Sequence, residues 1–190
     1  MSRYTLFLLL ILAACSGSGE GPPRNVEDAC AIKAARPAWF RAMNRTQNRW
    51  GVPVEVQLST LYQESTFRPK ARTPRKYFLG FIPNGRVSSA YGYAQAIDGT
   101  WNDYRRDTGR RGARRDNFAD ATDFMGWYMA ETMGRLGVEP GDAYNHYLAY
   151  HEGHTGFARG SYRRKGWLIN TAAKVQARSE RYREQLAFCS

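Results

Sequence analysis

The sequence predicts a mostly α-helical domain broken once, near its middle, by a long loop or a small hairpin. Three observations carry this. After residue 26, apolar residues recur every three or four positions over most of the chain. Pro and Gly stand where helices begin and end rather than inside them. The one stretch dense in Pro, Gly and Asn lies between residues 67 and 92. Taken in order, a first helix covers 26–35. Pro37 opens a second, with Trp39, Phe40, Met43 and Trp50 as its apolar stripe and Gly51 as its stop. Pro53 starts a third, through residue 65, in which Val54, Val56, Leu58, Leu61 and Tyr62 are apolar. In the loop, Tyr77 to Ile82 is expected to pair with 86–90 around Asn84-Gly85. A short helix covers 98–108, and 110–116 is a basic turn. Asn117 or Asp116 caps a long helix that runs to Leu136 and stops at Gly137. Asp142 begins the next, ending near Gly153, and a last helix covers 167–188.

The chain has 190 residues, a net charge of +11 and 43% apolar residues. That length allows one domain with a sizeable core. The apolar content excludes global disorder, and a single short apolar run excludes a polytopic membrane protein. The charge implies an anionic partner without naming it: nucleic acid, anionic lipid and an acidic cell-wall polymer all stay open.

The first residues address the compartment. Arg3 precedes the apolar run Leu6 to Leu12, and Ala13-Ala14-Cys15 follows. The run is too short to span a bilayer and has the shape of a secretory signal. Leu12-Ala13-Ala14-Cys15 resembles the bacterial lipobox, whose Cys carries lipid and becomes the mature N-terminus; the alternative is an ordinary signal peptide with an incidental Cys. Residues 1–14 are then signal, 15–25 a Gly- and Ser-rich tether, and 26–190 the domain. Ser16, where an Asp would favour the inner membrane, points to the outer one. Loss of Arg3 with the signal leaves +10, so the basicity belongs to the domain. Cys30 and Cys189 remain, at opposite ends of it. An oxidising compartment permits a bridge between them, worth about 5 kcal/mol on chain-entropy grounds for so long a loop; two unpaired thiols are the alternative.

Glu64 stands at the end of the third helix, just before the Pro69 exit. The helix C-terminus and burial against Leu61 both disfavour its ionised form. A raised pKa is what a general acid near neutral pH requires. An exposed Glu on a helix end is the plainer alternative.

Two later segments bear on that choice. Gly92-Tyr93-Ala94-Gln95 precedes Thr100 and Trp101, and Ala149-Tyr150-His151-Glu152-Gly153 follows much later. With Glu64-Ser65, Phe67 and Pro69, these resemble in order and spacing the three motifs of the lytic transglycosylases of the soluble-transglycosylase type, which share the goose-type lysozyme fold. The likeness covers residues 50–160. It departs where Tyr93 and Ala94 replace Leu and Met, where His151 and Glu152 replace Asn and Ala, and where the loop between the first two motifs is longer.

The resemblance implies a lysozyme-like helical domain and a peptidoglycan glycan strand as substrate. It implies that Glu64 alone does the acid and base work, helped by the substrate's N-acetyl group, to give a 1,6-anhydro product. Ser65 would bond Glu64 or the substrate. Gly92, Tyr93 and Ala94 would form one wall, and Gln95 and Tyr150 would line the cleft, Tyr150 by orienting Glu64 or its substrate oxygen. His151 would hydrogen-bond the sugar. No cofactor is implied, and the enzyme would act as a monomer anchored to the membrane through Cys15.

Glu152 has two readings: a second carboxylate that serves as base for water, or an ion-pair partner. A zinc site is not expected, because His151 and His154 are three apart rather than four. The Arg105 to Arg115 run either grips an anionic strand or is a solvated turn. The rivals to a transglycosylase are a hydrolytic muramidase on the same fold and a non-catalytic glycan-binding lipoprotein. The export signal argues against nucleic acid as a partner.

Overall fold

The computed structural model describes residues 21–189. The signal sequence, Cys15 and the first part of the tether lie outside the described residues. Of the remaining tether, Pro23 is buried, and Gly21 O accepts from Arg36 at 3.0 Å.

Asp28 caps α1 (Ala29–Ala35), its carboxylate accepting from the N–H groups of Cys30 and Ala31. That cap starts the helix three residues later than the apolar pattern alone suggests. α2 (Pro37–Trp50) has Pro at its first position and ends on a left-handed Gly51. α3 (Val54–Ser65) is followed by a hairpin of β1 (Arg75–Phe78) and β2 (Ile82–Arg86). α4 (Asp98–Asp107), α5 (Phe118–Leu136), α6 (Ala143–Ala158), a short 3-10 turn (Ser161–Arg164) and α7 (Gly166–Phe188) complete the chain.

The hairpin turns at residues 79–81, with Leu79 and Gly80 left-handed and the Phe81 N–H closing on Phe78 O at 3.3 Å. Asn84-Gly85, expected to be the turn, lies inside β2. The base sets this register. Val87 N–H donates to Pro74 O at 3.2 Å, and Thr73 Oγ1 donates to Ser88 O at 2.9 Å. With 74 opposite 87, the tip must fall midway between them.

α2 packs along α5, while α3 and α6 pack on α7. α3 is the central helix: every residue from Val56 to Leu61 is buried. Its buried polar side chains bond to nearby carbonyls, apart from Gln57 Oε1, which has no partner among the described residues. Gln57 Nε2 donates to Met43 O and Val52 O at 3.1 and 2.8 Å, and Thr60 Oγ1 donates to Val56 O. A helix enclosed like this presents its C-terminal end to a site from inside the fold.

A second polar centre ties α2, α4 and α5. Buried Asp123 accepts from Tyr104 Oη at 2.7 Å and from Trp50 Nε1 at 3.0 Å. It also pairs with Arg49 and Arg110. The basic turn is ion-paired rather than bare: Arg110 with Asp120, Arg114 with Asp116, Arg115 with Asp98. At the far pole Cys30 and Cys189 are in disulfide contact, their Cα atoms 5.6 Å apart. Among the described residues no helix is long and apolar enough to cross a membrane.

Candidate active site

α3 delivers Glu64 to the floor of an open cleft of about 580 Å³. Immediately past Glu64 the chain reverses through Thr66 and Phe67, both at positive φ (52° and 58°). Such geometry is unfavourable for a β-branched residue and for an aromatic. Phe67 sustains it by full burial against Trp39 and Tyr62. The turn therefore comes before Pro69, driven by an aromatic anchor.

The cleft around Glu64 is apolar on one side. Ala96, Ile97, Phe124, Tyr128 and Tyr150 line it, with the Tyr128 and Tyr150 rings edge-to-face at 5.2 Å. Burial pushes the Glu64 carboxyl up to about 7, against a smaller opposing effect of a hydrogen bond from Tyr147. Tyr147 is itself buried on α6, and burial followed by the Glu64 charge raises its own pKa. The phenol stays a donor to Glu64 throughout the neutral range.

The other side of the cleft ends in Glu152. Its side chain is 3% exposed and pairs with Lys165 Nζ at 2.7 Å. It also accepts from Ser161 Oγ and meets His151 Nδ1 at 3.1 Å. The Lys165 and Ser161 hydrogen bonds lead in holding this carboxyl down to about 2. α6 does not stop at Gly153. It bends there, at φ 73° and ψ 157°, and continues to Ala158. Gly tolerates that conformation, and the bend leaves His151, Glu152 and Gly153 on the cleft wall.

The sequence-derived residues fall into two groups. Glu64, Gln95, Tyr150, His151 and Glu152 come together around the cleft. Gln95 is pinned: its Nε2 donates to Ala71 O and Gly92 O at 3.0 and 2.8 Å. Ser65, Gly92, Tyr93 and Ala94 are not among the lining residues. Ser65 is buried and its Oγ donates to Leu61 O. Tyr93, expected in the cleft, is 3% exposed. It packs between Trp39 and Phe118 on the far side of its own segment. Trp39 and Phe118 stack at 4.0 Å and offer that ring an aromatic partner away from water. Ala94 is buried, and its carbonyl accepts from Tyr150 Oη at 2.6 Å. Tyr150 thus holds the wall, while Tyr147 takes the expected part of bonding Glu64.

Gly92 shapes this wall. At φ +83°, a Cβ there would lie 2.1 Å from Arg115 O, so no other residue fits. The close approach allows the Tyr93 N–H to donate to the same carbonyl at 3.2 Å.

Residues the motifs do not name complete the site: Tyr147 on Glu64, and Ser161 and Lys165 on Glu152. Tyr147 stands one helical turn before Tyr150, and that spacing is its signal. Lys165 lies on a later segment, and nothing local announces it. His146 is buried with neither ring nitrogen bonded to the protein, and burial pushes it down to about 4. His154 Nε2 meets Thr132 Oγ1 at 3.0 Å, and its ring stacks on Tyr128. Among the described residues no group of three or more His, Cys, Asp or Glu side chains is arranged to hold a metal.

A mostly helical domain with an acidic residue at the end of its central helix, facing an aromatic cleft, is lysozyme-like in class. The family described as transglycosylase SLT domain matches residues 3–189, and the chain belongs to that family. Its domains are lytic transglycosylases that act on cell-wall peptidoglycan. No curated protein sequence matches the chain.

Proposed function

We propose that the protein is a lytic transglycosylase. It cleaves the β-1,4 bond between N-acetylmuramic acid and N-acetylglucosamine, with Glu64 as single acid and base. One observation carries this. Of the two carboxyl groups lining the cleft, Glu64 is held near neutrality at about 7, while Glu152 is ionised and engaged by Lys165 and Ser161. A carboxylate held down to about 2 is a poor base for water, which favours a one-carboxyl mechanism over hydrolysis.

Protonated Glu64 gives its proton to the glycosidic oxygen as the bond to C1 of the muramic residue breaks. The N-acetyl carbonyl oxygen bonds to C1 and takes up the positive charge. Glu64, now a carboxylate, removes the proton of the C6 hydroxyl. O6 attacks C1, the N-acetyl oxygen departs, and the 1,6-anhydro sugar forms. No water is consumed and Glu64 ends protonated. This belongs with the substrate-assisted exceptions to two-carboxylate glycoside chemistry. Tyr147 orients the Glu64 carboxyl. Gln95 and His151 face the sugars, and Ser65, Gly92, Tyr93, Ala94 and Tyr150 hold the shape of the walls.

The same reading places the protein in the periplasm as a monomer, anchored by lipid on Cys15 at the outer membrane and braced by a Cys30–Cys189 disulfide. Mass spectrometry of digests of purified sacculi tests the reaction. Anhydromuramic ends are expected. Reducing ends would overturn the proposal in favour of a muramidase, and no release of fragments would favour a glycan-binding lipoprotein. The mass of the mature N-terminus tests Cys15 separately.

A further inference from the structure

The β1–β2 hairpin stands at the rim of the cleft, where Thr73 and Ser88 at its base are lining residues. Its strands pair with each other and pack on no helix. Six large apolar side chains on it are exposed: Tyr77, Phe78, Leu79, Phe81, Ile82 and Val87. Exposure peaks at the turn, with Leu79 at 69% and Phe81 at 72%. Adjacent positions Tyr77 and Phe78 point to opposite faces of the strand, so neither face is turned towards a core. An apolar group this concentrated on a small projecting element marks a contact surface.

Charge identifies the contact. Between Glu64 and Asp98 the chain has no Asp or Glu and six cations: Arg68, Lys70, Arg72, Arg75, Lys76 and Arg86. The arginines of the 105–115 turn differ, since most of them meet a carboxylate. None of the six forms an ion pair among the described residues. Arg75, Lys76 and Arg86 sit on the strands and Arg68, Lys70 and Arg72 lead into them along the chain, while the uncharged turn carries Leu79, Gly80 and Phe81. An apolar tip beside cations that meet no carboxylate among the described residues matches the layering of an anionic bilayer surface, acyl chains beneath phosphate. Tyr77, Phe78 and Phe81 are aromatic and would also suit a glycan face, but Leu79 at the turn, Ile82 and Val87 are aliphatic and suit acyl chains.

We propose that this hairpin is a membrane-contact element. Its tip enters the acyl boundary of a bilayer containing anionic phospholipid, and its cations rest on the headgroups. The inference stands apart from the reaction assigned to Glu64 and from lipid on Cys15. It would hold the mouth of the cleft against the bilayer face.

The test uses full chains identical except at the hairpin: wild type, Leu79→Ser/Phe81→Ser, and Arg75→Glu/Lys76→Glu. Each is co-sedimented with vesicles of phosphatidylcholine alone and of phosphatidylcholine with phosphatidylglycerol. Binding is read as partition coefficients over a lipid titration, so the N-terminus common to all contributes the same factor to each. On the anionic vesicles the tip variant is expected to bind about tenfold more weakly than wild type. The charge-reversed variant is expected to lose about fivefold or more per residue changed, a loss that shrinks as salt rises. An unchanged thermal midpoint in the tip variant excludes unfolding as the cause. Equal vesicle binding by all three chains overturns the proposal. So does a tip variant that loses binding to purified sacculi but not to vesicles, which assigns the hairpin to glycan. A wild-type dimer that the tip variant dissolves, with vesicle binding unchanged, overturns it in favour of a second copy.

Discussion

Glu64 and Glu152 line the same cleft and carry the same functional group, yet their surroundings drive them apart. Around Glu64 the neighbours are aromatic and aliphatic, and one phenol is its hydrogen-bond donor; its pKa rises to about 7. Around Glu152 stand an ammonium, a hydroxyl and an imidazole, and its pKa falls to about 2. The backbone source differs in the same sense. Glu64 comes off the end of a buried central helix, whereas Glu152 sits beside the Gly153 bend and is clamped to the following turn. Separation of the two titrations gives one wall a carboxyl that can hold its proton near neutral pH and the other a fixed anion.

The sharpest way to break that contrast is Glu64→Gln. Sacculus turnover should fall roughly thousandfold or more; an active variant would remove Glu64 from the acid role. The same substitution should raise stability in a pH-dependent way. The folded protein holds the Glu64 proton up to about 7, whereas a free carboxyl loses it near 4.5. The native state therefore binds more protons between those values, and its stability falls as pH rises through them. Glu64→Gln escapes this loss. It should match wild type below about pH 4 and exceed it by about 3 kcal/mol above pH 8, as measured by urea unfolding. Equal stability at both pH values would deny Glu64 its raised pKa.

Tyr147→Phe sharpens the Glu64 side. The phenol lowers the Glu64 pKa, so its removal should raise it further. Turnover should drop about tenfold from lost positioning, and the high-pH limb of the activity profile should move to higher pH. An unmoved limb would leave Tyr147 a packing residue only. Glu152→Gln tests the other wall and is the mildest in turnover. Anhydro products should continue within about threefold of the wild-type rate. Stability should fall by about 1–2 kcal/mol through the unpaired Lys165. That loss should fade as the pH drops from the usual carboxylate range towards about 2, where Glu152 itself becomes protonated. A collapse as deep as that of Glu64→Gln would make Glu152 a reacting group and favour hydrolysis.

Helices were legible because their punctuation is local: Asn117 and Asp142 cap, Pro37 opens, Gly51 and Gly137 stop; the Asp28 cap was missed, and the first helix was begun too early. The position of Glu64, at the end of α3 and on the cleft, was legible from its motif and its helix end. Tyr93 was placed on the wrong side because residues 92–96 form an irregular wall without a helical or strand period, and the Trp39–Phe118 stack that draws the ring away is distant in sequence. The hairpin tip was misplaced for a related reason. Asn84-Gly85 is a good turn, but the ties between 73–74 and 87–88 decide the register. The role of Glu152 depended on Lys165 and Ser161, which only the fold brings near it.

The wall opposite α6 has almost no freedom. Gln95 is fixed to Ala71 and Gly92, Arg115 holds the Ala96 carbonyl at 2.8 Å, and the Tyr150 phenol spans the floor to Ala94. The two jaws are thus joined by a rigid strut across the bottom of the cleft. A calliper set to one width does not yield to its workpiece. On the proposed reaction, a sugar ring that distorts on its way to the transition state would draw that energy from sugars bound further along the strand rather than from movement of the jaws. Strand length then becomes a determinant of speed: a short fragment would occupy the jaws without being flexed and would turn over slowly even at saturation.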